Sequence, residues 1–186
     1  MIIRISPTSA FLPPNFDVLV DDVHKYVASM SMVGMHAIEL TSDDESQPRF
    51  VIHPRASVLS KTVYHITLRG NLVLDYNVVS SWKSHCQCHA PSGVYDIYFH
   101  NGSRHSVYRN DVQVAAWERT ALQLRGGLYE IIGDDDCDEE LIIAFCLLSE
   151  YSVSLGEPSF MIGHIGPQAR EFNEDWKPKV IQRVNS

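Results

Sequence analysis

Along most of this chain apolar side chains recur at every second residue, the period of a strand with one covered face. The clearest stretch is Thr62 to Val78, TVYHITLRGNLVLDYNV. Tyr64, Ile66 and Leu68 share a face before Gly70-Asn71, and Leu72, Leu74 and Tyr76 share one after it. Val63 and Val73 are apolar on the opposite face, so part of this hairpin is expected to be covered on both sides. Gly93 to Arg109 repeats the plan, with Val94-Tyr95-x-Ile97 standing where Val63-Tyr64-x-Ile66 stood. Its turn falls at Asn101-Gly102, two residues that tolerate positive φ. Two similar hairpins imply a repeated module, with too few copies for a solenoid.

Shorter strands fill the rest. Ile2 to Ile5 is an apolar run, and residues 6–15, with Pro7, Pro13 and Pro14, read as an irregular N-terminal strap. Phe16 to Val20 reads as a strand and Asp21-Asp22 as a turn. His24 to Met32 and Gly34 to Leu40 form a hairpin around Val33-Gly34. The alternative is a helix over Val20 to Met32, with Val20, Val23, Val27 and Met30 on one side. Thr41 to Pro48 is a polar loop, and Arg49 to His53 is a strand that Pro54 ends. Val112 to Arg119 and Leu128 to Ile132 are further strands, separated by Gly126-Gly127. Beyond Leu155-Gly156-Glu157-Pro158, Phe160 to Ile165 reads as a last strand, Gln168 to Asp175 as a short helix, and residues 177–186 as a polar tail. No linker divides the chain, so residues 1–186 are expected to form one domain.

One run breaks the alternation. Leu141 to Leu148 carries no polar side chain except the thiol of Cys146. A strand of the same composition is the alternative reading. Length and caps decide for a helix over about 138–151. Asp136 suits an N-cap, Glu139 a capping-box partner, and Asp138, Glu139 and Glu140 lie where the helix dipole favours negative charge. A helix apolar on every side has to be buried all round. Among so many strands, that means a sheet wrapped around it.

At this point the chain resembles the tubby C-terminal-like superfamily, which includes tubby proteins, phospholipid scramblases and LURP-one-related proteins. The resemblance covers about residues 62–152. It rests on Tyr64-His65-Ile66, on Tyr95-Asp96-Ile97 with Asn101-Gly102, and on Val114-Ala115-Ala116-Trp117. It continues through Leu128-Tyr129-Glu130-Ile131 and the acidic-capped apolar run from Asp138 to Leu148. The resemblance implies a closed antiparallel β-barrel built from hairpins around a buried central helix. The resemblance leaves the activity open, and the first expectation is a non-enzymatic binding or scaffolding module of this type, with a lipid, a small amphiphile or a protein as ligand. The chain departs from the phosphoinositide-binding members in having no basic pocket that can be placed. It departs from the scramblases in lacking their cysteine-rich and calcium-binding segments.

Composition narrows the function. The 186 residues are 45% hydrophobic and 20% charged, as in ordinary globular proteins. Net charge is -8 without a Lys/Arg cluster, which argues against nucleic acid and against attraction to anionic lipid. No apolar run approaches the roughly 18–20 residues of a membrane span, and the N-terminal residues do not resemble a secretory signal. The four cysteines are therefore expected as free thiols in the cytoplasm. No cofactor is expected.

Three clusters carry residues capable of chemistry. His85, Cys86, Cys88 and His89 have zinc- or copper-binding side chains, but on a strand the histidines face away from the cysteines and no second knuckle exists. They are the candidate ligands if a metal binds, and the expectation is a loop with half-buried thiols and no metal. His100, His105, Asp96, Ser103 and Ser106 gather at one hairpin tip, where water-exposed side chains and no catalytic residue are expected. A small enzyme or ligand-carrying barrel using these hairpins is the competing reading, and a subunit of a larger complex is a third. Asp134 to Glu140 lacks the alternating ligands and glycine of a calcium loop, and helix capping accounts for it.

Overall fold

The computed structural model describes residues 1–8, 15–31, 38–55, 63–80, 84–120, 128–154 and 168–180. Its strands are β1 (Ile2–Pro7), β2 (Asn15–Val20), β3 (Val23–Met30), β4 (Ile38–Thr41), β5 (Phe50–Arg55) and β6 (Val63–Leu68). They continue with β7 (Leu72–Ser80), β8 (His85–Ala90), β9 (Gly93–His100), β10 (Arg104–Arg109), β11 (Val112–Thr120) and β12 (Leu128–Gly133). One helix follows, α1 (Glu139–Ser154). Each strand pairs antiparallel with its neighbours in sequence, and β1 closes on β12. The result is a closed antiparallel barrel in which no strand is left with an open edge.

Period-2 alternation sends one set of side chains inward. Tyr64, Ile66, Tyr76, Tyr95 and Ile97 are fully buried, so the two matching hairpins, β6–β7 and β9–β10, do present equivalent faces to the interior. Those inward rings surround α1. Every residue from Glu140 to Tyr151 is buried. Phe145 lies 5.7 Å from the Tyr76 ring on β7 and 5.6 Å from the Tyr95 ring on β9, and Tyr151 lies 6.3 Å from Tyr64 on β6. The helix thus fills the barrel, and burial of each large apolar side chain contributes about 1.5–3 kcal/mol before entropy is counted.

Ion pairs clamp both ends of the helix. At its start Lys25 and the Tyr26 hydroxyl both reach Glu139 at 2.7 Å, and Arg69 donates to Glu140 at 3.0 Å. Near its end Glu150 accepts from the Tyr129 hydroxyl and pairs with Arg119 at 3.6 Å. Buried carboxylates need such partners, because an unpaired charge there would cost several kcal/mol (about 3–5).

Several expectations change. The helix cap is Asp138, whose carboxylate accepts from the Leu141 N–H at 3.2 Å; Asp136 instead takes Arg109 at 3.3 Å. Val23–Met30 is strand, which removes the helical alternative over the described part of that segment. Ser6 and Pro7 belong to β1 and Asn15 to β2, so the N-terminal strap is shorter than 6–15. Pro54 does not end its strand: β5 runs on to Arg55, and Pro54 lies past Ile52, the last described β5 residue paired with β4. Proline is tolerated where no ladder N–H is required. Val73 is 58% exposed, so the outer face of the β6–β7 hairpin is not covered there.

Residues 168–175 are not helical. They form the first part of an irregular strap, residues 168–180, laid across the outer wall of β9 to β12. Arg170 sits 3.8 Å over the Tyr108 ring, Trp176 donates to the Gln113 carbonyl at 3.2 Å, and the Lys179 N–H donates to Asp134 at 2.7 Å. The expected last strand at 160–165, the Val33-Gly34 turn, and the final residues of the 177–186 tail lie outside the described residues.

Replacing Phe145 with Ala should leave a folded barrel destabilised by about 3–5 kcal/mol in urea titration. Replacing it with Asp should leave no soluble, cooperatively folding protein. A cooperatively folding Asp variant would overturn the filled-barrel arrangement.

Candidate functional site

The chemistry-bearing residues divide between the two faces of the wall. His85 to His89 is not a loop but strand β8. Cys86 and Cys88 point inward and are buried, whereas His85 and His89 lie on the outer side. Burial pushes the Cys88 thiol up to about 12, so it is protonated and a poor ligand. Outside, a polar row runs across β8 and β9. His89 donates to the Gln87 side-chain Oε1 at 3.0 Å, Gln87 Nε2 donates to Asp96 at 2.9 Å, and His85 meets the same carboxylate at 2.7 Å. The four candidate metal ligands are therefore split across the wall. Among the described residues no three His, Cys, Asp or Glu side chains gather to hold a metal.

The hairpin histidines are not water-exposed. His100 is 1% exposed, His105 6% and Ser106 0%. His105 points inward and stacks on Trp117 at 4.7 Å. His100 points outward and is covered by the strap: its Nε2 lies 2.6 Å from Ser106 Oγ and its Nδ1 3.3 Å from Gln168 Oε1. This fits a tautomer that donates to Gln168 and accepts the Ser106 hydroxyl proton. A nucleophile beside a base beside an orienting group has the outline of a catalytic triad. Here Phe172 stands edge-on to His100 at 5.2 Å and the serine is sealed from solvent. Asp96, the acid expected with this group, belongs to His85 instead. The trio holds the strap to the wall.

The acidic run disperses too. Asp134 receives the strap at Lys179, Asp136 receives Arg109, Asp138 caps α1, and Glu139 and Glu140 face Lys25, Arg49 and Arg69. Those three cations and carboxylates 138–140 surround a space of about 280 Å³ at the mouth of the barrel. Near the other end of the helix, His105, Arg119, Tyr129, Ser149 and Glu150 line a space of about 30 Å³, room for a water or two.

A larger concavity lies on the outer wall. Ala116, Glu118, Leu128, Glu130 and Ile132 floor a groove of about 420 Å³, and Phe172 of the strap forms its side. Leu128 is 42% exposed and Ile132 39%. Sequence reading passed over this site. Its signal was the parity of β12: with Tyr129 and Ile131 inside, Leu128, Glu130 and Ile132 must all face out. Comparison of the chain with protein-family models, with curated proteins and with solved structures found no match.

The thiols of Cys86, Cys88 and Cys146 are expected to resist alkylation by iodoacetamide in the native protein and to react only after denaturation, measured by mass spectrometry. Burial, aided by the Arg104 cation, holds His100 below its ordinary 6.5. A lowered folded-state value makes its contribution complete above about pH 6.5 and lost as pH falls through the lowered value. Wild-type urea midpoints should therefore decline over that acidic range, and a His100→Asn variant should decline less.

Proposed function

We propose that this chain is a non-enzymatic binding or scaffolding module of tubby-like type that takes its ligand on the outer wall of the barrel. The observation that carries this reading is the filled interior. Among the described residues, a helix buried from Glu140 to Tyr151 occupies the barrel interior, which favours recognition at the surface. The repeated Tyr-x-Ile hairpins and the acidic-capped helix support the family likeness. None of the four cysteines forms a disulfide, which suits a reducing compartment, and cytoplasmic residence follows on this reading. Among the described residues no helix is long and apolar enough to cross a membrane. The ligand is a lipid, an amphiphile or a protein.

Two measurements test this. Flotation with neutral and phosphoinositide-bearing vesicles reads lipid binding, and chemical cross-linking in cells with mass-spectrometric identification reads protein partners. At least one is expected to give a ligand that charge reversal on the outer wall removes. Neither doing so would overturn the proposal. So would hydrolysis of generic p-nitrophenyl esters that disappears in Ser106→Ala, because that would make the strap-covered trio an active site.

A further inference from the structure

We infer that the groove between β12 and the strap takes an extended segment of a partner protein in which one Lys or Arg is flanked, two residues away on each side, by apolar side chains. This rests on the binding-module reading and specifies its ligand.

Arg4, Glu130, Glu118 and Arg104 stand opposite one another in a row across β1, β12, β11 and β10. Both arginines are engaged. Arg4 holds Asp22 and Glu130, and Arg104 holds Glu174 while lying 4.5 Å over the Phe172 ring. Glu118 is exposed and, among the described residues, has no cationic partner. It also faces another carboxylate, Glu130, directly across the strand pair. Like charges placed opposite one another destabilise a sheet. Adjacent strands lie only about 4.7–4.9 Å apart, so one incoming cation reaches both carboxylates.

Apolar positions lie on either side of this charged row. Ile132 pairs with Ala116 and with Ile2, which is itself 40% exposed. Leu128 lies on the other side, with Phe172 alongside the groove. Ile132, Glu130 and Leu128 are each two residues apart, about 6–7 Å along the strand. Same-face residues of an extended peptide have that spacing, so apolar–x–basic–x–apolar matches the groove step for step. Because β12 is already hydrogen-bonded on both sides, to β1 and β11, the peptide is held by side chains and not by added strand pairing. The carboxylates repel a lipid phosphate, which favours a basic peptide over an anionic membrane surface here.

Fluorescence anisotropy with the full 186-residue chain tests this, using a labelled Leu-Ser-Lys-Ser-Leu peptide and its Leu-Ser-Glu-Ser-Leu counterpart. The Lys peptide should bind the wild type more tightly than the Glu peptide, and added salt should weaken it. Glu118→Lys should weaken the Lys peptide by about tenfold or more and make the Glu peptide the better ligand. Glu118 is exposed and the substitution removes its repulsion with Glu130, so the variant should unfold at or above the wild-type temperature. Lys-peptide binding unchanged by Glu118→Lys, or no exchange of preference, would overturn the inference. A wild-type dimer dispersed by the same substitution in sedimentation would also overturn it, since the groove would then hold a second copy. If the Lys peptide fails while vesicles or cross-linked partners are still retained, the groove assignment falls alone. If nothing is retained in any of these tests, the binding-module reading falls with it.

Discussion

A helix without a polar side has no place at a surface, and this constraint governs the rest of the molecule. Leu141 to Leu148 cannot settle against one sheet, because its far side would remain in water. Wrapping the sheet fully around it removes that exposure and the open sheet edges together. The inward tyrosines, Tyr64, Tyr76, Tyr95 and Tyr129, span the distance between wall and helix and place their rings on it. Where the helix reaches the barrel mouths its carboxylates meet Lys25, Arg49, Arg69 and Arg119. Apolar packing thus fixes that the helix is inside, and the paired charges fix how far along the barrel it sits.

With the interior filled, the exposed chemistry of the described residues lies on the outer wall and at the barrel mouths. Part of that wall is polar and self-satisfied, as the row His89–Gln87–Asp96–His85 illustrates. Two other parts of it differ. Across β9 to β11 an irregular strap is held by aromatic, cationic and hydrogen-bond contacts, and it hides a serine–histidine pair. Beside it the β11–β12 face keeps apolar side chains and facing carboxylates in a groove. The strap contributes Phe172 to that groove and, through Glu174, engages Arg104, the register partner of Glu118.

The sequence made much of the fold legible and little of the site. Alternation located the hairpins at Tyr64-x-Ile66 and Tyr95-x-Ile97 because a two-residue period is a local property of the strand. The run at 141–148 announced its own burial. The misreadings among the chemistry-bearing residues required knowledge of a distant neighbour. His100 and Ser106 looked exposed because the strap that covers them is more than sixty residues away in the chain. Residues 85–89 looked like a loop because their partners, Asn77 and Asp96, lie on other strands. Asp136 looked like a cap until Arg109 proved to be its partner.

The sequence by itself determined which residues alternate, where the chain turns, and that one helix must be enclosed, since these follow from the geometry of short segments and the cost of exposing apolar surface. Only the tertiary structure decided the closure of β1 on β12, the registry that sets Glu118 against Glu130, and the path of the strap. Those depend on pairings between residues far apart in sequence. Such pairings are chosen by the shape of the whole barrel, and no local pattern encodes them.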